Sequence, residues 1–198
     1  MNSYIKATKA ALSTAKLMKT GQTTSYRTGD DGDLEAGRNT SFTVLAENNP
    51  FGNTNRFTDE LGGQTYTKNI VIDWSTYDGA TVLGWRRTDN GVNITWNNAI
   101  DGALLVSIAP FTSGWRLPNF MEFLSIIRHE SPSGIAYAPF SLNYTGFFWT
   151  STTNFRNTLQ AFTINQFDLL FSPQNKTSVT NFRYIPCRTF TVTGTTLS

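Results

Sequence analysis

From residue 40 onward, short apolar runs alternate with clusters of Gly, Asn and Asp, and no run is long enough for a large helix bundle. "SFTVLAE" (41–47), "TKNIVIDW" (67–74) and "TVLGWRR" (81–87) read as strands, bounded by "NNPFGN", "DELGGQ", "STYDGA" and "TDNG". "GFFWTSTTN" (146–154), "LQAFTINQFDLLFS" (159–172) and "FRYIPCRTFTV" (182–192) read the same way and predict a terminal antiparallel meander. A chain so punctuated folds as short strands joined by polar turns. No repeat and no linker divides residues 40–192.

The period changes twice. In "TWNNAIDGALL" (95–105), Trp96, Ala99, Ile100, Ala103 and Leu104 fall on one helical face behind Thr95 as N-cap. The second change follows "GWRLPN". Pro118 pushes Leu117 toward extended backbone, so the helix cannot start earlier. Asn119 then caps it, and Glu122, three residues on, completes a capping-box spacing. Phe120, Phe123, Leu124 and Ile127 supply the apolar face, with Leu117 and Phe123 positioned as a staple across the cap.

The N-terminal segment differs in kind. Residues 3–19 carry a helical stripe (Tyr4, Ile5, Ala11, Leu12, Met18) studded with Lys6, Lys9, Lys16 and Lys19. Such a helix packs on its own domain, serves as an attachment or oligomerisation arm, or lies on a membrane surface. Residues 19–38 form a Gly/Thr/Asp-rich loop. Asp30, Asp31 and Asp33 within it make a candidate Ca2+ cluster, although the EF-hand order is absent and an acidic turn is the simpler account. The expected division is therefore an arm and loop over 1–38 and one domain over 39–198.

Several classes are disfavoured by composition. The net charge of +2, with no dense basic patch, argues against nucleic acid. No apolar run approaches the ~20 residues of a membrane span, so no insertion is expected. Cys187 stands alone, which rules out an internal disulfide and predicts a buried, inert thiol. His129 is the sole histidine, with no nucleophile placed beside it, so the expectation is no enzyme.

Together "KTGQTTSYRTGDDGDLEAG", "TWNNAID", "GWRLPN" before a helix with Glu122, "FFWTSTT" and "FRYIPCR" resemble, in order, the C-terminal domain family of the Legionella collagen-like adhesin. The resemblance spans about residues 19–190. One departure is Trp149-Thr150-Ser151 where members usually carry Trp-Ser-Ser. It implies an α+β, C-type-lectin-like domain, related to the formylglycine-generating-enzyme fold, with two helices packed on small twisted antiparallel sheets. In it Trp115 would fill the core and Arg116 would satisfy carbonyls or a carboxylate. Trp115, Arg116, Pro118, Asn119, Glu122 and Trp149 are then structural. The formylglycine-generating relatives use a cysteine pair, which this chain lacks.

Lectin-like folds present ligand contacts from loops, and this chain offers Tyr137, Tyr144, Asn154, Phe155, Arg156, Asn157, Asn165, Gln174 and Asn175, of which at least half are expected to be structural. Phage diversity-generating systems vary such folds at Asn-rich positions near the C-terminus. Relatives typically follow a leader peptide, whereas this sequence begins with the lysine-studded helix. The expectation is a phage virion surface protein, of tail or head fibre or decoration type. It would be homo-oligomeric, joined to other virion proteins by its N-terminal arm, and would bind host surface glycan or receptor. A virion cement protein without ligand, and a bacterial cell-surface adhesin, are the alternatives.

Overall fold

A computed structural model describes residues 49–198 apart from 53–54, 65–67, 128–138, 143 and 166–169, together with Ser25, Thr28 and Asp33. The segment 3–19, most of the 19–38 loop, the run 41–47, Asp30, Asp31, His129 and Tyr137 lie outside the described residues.

Nine strands and two α-helices form two sheets among the described residues. The first contains β1 (Phe57–Thr58), β2 (Ile70–Asp73), β3 (Thr81–Arg86), β8 (Cys187–Thr193) and β9 (Thr196–Leu197), antiparallel in that spatial order. The second orders β6 (Phe171–Asn175), β5 (Gln160–Asn165), β4 (Phe147–Thr153) and β7 (Phe182–Arg183). Helix α1 (Trp96–Leu104) packs on β4, and α2 (Phe120–Ser125) on β4 and β5. This is the α+β architecture expected, with two helices on small, antiparallel-rich sheets.

The first sheet is covered on both faces, which explains why β2 is buried at every position rather than alternating. Val71, Leu83 and Trp85 join Phe123, Phe148 and Ile164 in a core that links the two sheets through α2. From the other face Ile70, Ile72, Val82 and Phe190 pack with Trp74 and Trp115. A third cluster holds α1 on the second sheet through Ala99, Ala103, Leu117, Trp149, Ala161 and Phe182. At the end of β2 the fully buried Arg56–Asp73 pair meets through two bonds of 2.9 and 2.8 Å. Asp73 also accepts from Ser75, and Arg56 donates onward to the Ser125 carbonyl at the end of α2. The pair therefore ties the first sheet to α2.

Both helix starts follow their sequence signals. Thr95 Oγ1 accepts from Asn98 N, and Asn119 forms a complete capping box with Glu122. Other details depart from expectation. Leu104 is 60% exposed, because α1 needs only Ala99 and Ala103 to approach Trp149 and Phe182 closely. Leu117 and Phe123 are buried in different clusters, so no staple joins them. The 67–74 run is a strand only over 70–73, since Asp73 caps a 3-10 turn at Trp74–Thr76. The 159–172 run is two strands, β5 and β6, paired antiparallel. The 182–192 run is also two: β7 pairs parallel with β4, Pro186 follows, and β8 crosses to the first sheet. β4, β5 and β6 thus form the expected antiparallel meander, while β7 joins β4 in parallel and β8 passes to the first sheet.

Candidate functional site

The residues that carry the resemblance meet one another. Arg116 and Cys187 exchange both backbone hydrogen bonds at 2.9 Å, which joins "GWRLPN" to "YIPCR". The Arg116 guanidinium forks onto Glu122 at 2.7 and 2.6 Å. Trp115 is buried and donates from Nε1 to the Phe111 carbonyl. Trp149 is buried and donates to the Ile94 carbonyl. Between Trp149 and Thr153 the register of β4 against β5 shifts, so Thr150–Thr152 bulge from the ladder. Ser151 N donates to the Pro118 carbonyl (2.7 Å), Thr152 Oγ1 accepts from Phe120 N (3.0 Å), and the Thr150 carbonyl accepts from Trp96 Nε1 (2.8 Å). The bulge therefore docks the starts of both helices. Thr150 Oγ1 donates to Phe162 O at 2.8 Å.

Beyond the bulge the chain reaches a rim, where the turn 154–159, the end of β6 and the start of α1 come together. Asn154 is buried and works for the turn: Oδ1 accepts from Arg156 N and Nδ2 donates to Gln160 Oε1. Asn157 accepts from Leu159 N, and Asn175 Oδ1 accepts from Thr177 N and Oγ1. Their polar side chains shape tight turns, as Asn does wherever it closes an Asx turn. Gln174, one step back along β6, donates to Ser172 Oγ. The large apolar side chains exposed here are Phe155 (81%), with Arg156 at 5.6 Å from its ring, and Leu159 (70%).

Lys176 completes the rim. Its ammonium lies 3.9 Å from the Trp96 ring centroid and donates to Thr153 Oγ1 at 2.9 Å. Backbone bonds lock this arrangement, from Trp96 N to Lys176 O and from Lys176 N to Leu159 O. Neither Trp96 nor Lys176 was among the contacts expected from sequence. Trp96 reads as a core-facing helix residue, and no local signal couples it to a lysine eighty positions away.

Tyr144 and Asn165 stand apart from this rim. Asn165 pairs with Phe147, and Tyr144 precedes that residue, so both lie at the opposite end of β4, about 20 Å away at strand rise. Tyr144 donates to Asn93 Oδ1 (3.3 Å) beneath the Arg183 guanidinium (4.1 Å), which Asp89 holds at 3.2 Å. Burial pushes its phenol above the ordinary value. Among the described residues, no group of three His, Cys, Asp or Glu forms a metal-holding cluster. Asp33 is exposed. No helix among them is long and apolar enough to cross a membrane. Cys187 is a buried free thiol whose pKa is raised by loss of hydration.

A search of curated proteins finds no match. The family model described as the Lcl C-terminal domain matches residues 75–186, more than half of the chain, from the 3-10 turn after β2 to the residue before Cys187. The matched span contains both helices, the bulge and the rim. The chain belongs to the Lcl C-terminal domain family.

Proposed function

We infer that this adhesin-like domain is a non-enzymatic binding module whose ligand face is the rim at the far end of β4, and that it contacts a host-surface glycan or receptor. One observation carries this: most of the polar and aromatic residues chosen as contacts converge on that rim, with Phe155 81% exposed beside Arg156, and Lys176 over Trp96. An aromatic face flanked by cations and amides, on turns held rigid by their own hydrogen bonds, suits recognition at low ordering cost. Tyr144 is released from the contact set, since it sits at the other end of the strand in a network with Asn93 and Arg183.

The setting we propose is the surface of a phage virion, with residues 1–38 as the arm that joins other virion proteins and a homo-oligomeric assembly. The Thr- and Asn-rich, sparsely charged composition supports display on a particle, and it suits a bacterial cell surface equally. Binding of labelled full-length protein to intact bacterial cells and to their purified surface glycans tests the module. Saturable binding that Phe155→Ala weakens about tenfold, the effect of a modest hot spot, supports it. Failure of the folded protein to bind any host surface overturns it and leaves a cement role.

A further inference from the structure

The first sheet carries a hollow of about 410 Å³, separate from the rim, among the β1–β2 connection, the segment after α1 and the β8–β9 hairpin. Its walls are firmly built. Asp59 Oδ1 accepts from Leu61 N and Gly63 N, and Asp59 N donates to the Gly63 carbonyl. Phe111 packs edge-on against the buried Phe190 at 4.8 Å, and its backbone bridges to Ile108. Thr191 and Ser198 exchange two bonds of 3.0 Å across the hairpin. One side of the hollow is apolar, from Pro110, Phe111 and Leu197, while Glu60, Lys68 and Thr196 are polar.

The two charged residues are unpaired. Neither Glu60 nor Lys68 forms an ion pair among the described residues. Lys68 is exposed, and Glu60 Oε2 is buried without a hydrogen-bond partner. Burial raises the Glu60 carboxyl, and the nearby Lys68 charge works against that rise. An unsatisfied buried carboxylate oxygen is a costly arrangement, so the side chain loses little when a donor draws it into the hollow. Opposite charges that do not meet each other are complemented by a ligand carrying both signs. The volume suits a small molecule, at the lower end of the roughly 300–1,000 Å³ of ligand pockets.

We propose that this hollow binds a free amino acid with an apolar side chain, its ammonium on Glu60, its carboxylate on Lys68, and its side chain against Pro110 and Phe111. The assignment is independent of the rim. Titration calorimetry on the full chain with leucine, leucinamide and N-acetylleucine tests it. Leucine should bind, and each analogue, lacking one charge, should bind about tenfold more weakly, the size of one lost charge-assisted hydrogen bond. Glu60→Gln and Lys68→Gln should each weaken leucine by a similar factor without lowering the melting temperature. Equal affinity for leucine and N-acetylleucine, no saturation by leucine at millimolar concentration, or leucine binding untouched by Glu60→Gln would each overturn the proposal.

Discussion

Arg116 and Glu122 show how much a single residue pair carries. The fork is partly exposed, so its direct worth is modest, but Glu122 also closes the capping box of α2. Burial opposes ionisation of Glu122. The Arg116 bonds and the Asn119 N–H outweigh it and hold the carboxyl below its ordinary value. A depressed folded value means the stabilisation is complete above the unfolded pKa, about 4.3, and is lost as pH falls through the folded one. Glu122→Gln should therefore cost about 1 kcal/mol at neutral pH, and the gap to the parent should close in acid. Urea denaturation at pH 7 and pH 3 checks this. Cys187 gives a second expectation at this scale: its buried thiol should react with a thiol reagent only after denaturant is added. Both residues were legible in sequence, because capping and lone-cysteine burial are local rules. Asn119 and Glu122 sit three apart whatever the rest of the chain does.

At the scale of elements, local rules reach less far. Thr95 and the capping box mark the helix starts correctly, yet nothing local to residues 182–192 reveals that the strand breaks at Pro186 and divides between sheets. That division depends on which partner strand is free. β7 is taken by β4, while β8 fits between β3 and β9. The bulge at Thr150–Thr152 was equally hidden, since the Ser151 N–H is spent on the Pro118 carbonyl and the Thr152 hydroxyl on Phe120 N, about thirty residues earlier. β6, at the edge of the second sheet, carries Pro173, which an edge strand tolerates and which blunts it against pairing with another chain. Packing is tight at Gly84 in β3. An added methyl there would overlap the Phe190 ring and come within 2.9 Å of Ile72 Cδ1. Gly84→Ala should cost about 1–3 kcal/mol by overpacking. Asp73→Ala should cost more, about 3–5 kcal/mol, because it strands the buried Arg56 charge. Thermal or denaturant unfolding of the two variants tests the order.

For the whole molecule, two sheets share one core through α2, and the turns at the far end of the second sheet are left to face outward. Asn154, Phe155, Arg156, Asn157, Gln174 and Asn175, named as contacts from sequence, were brought together there, because Asn-rich turns cluster at strand ends. Tyr144 and Asn165 were not, since a strand's length separates them from the rest. Lys176 over Trp96 was invisible, as the contact joins the start of α1 to the end of β6. The most direct measurement compares Phe155→Ala with Tyr144→Phe in saturation binding of the full-length protein to host cells. The rim account predicts about tenfold weaker binding for Phe155→Ala and parent-like binding for Tyr144→Phe. Full binding by Phe155→Ala, or a loss confined to Tyr144→Phe, would contradict it.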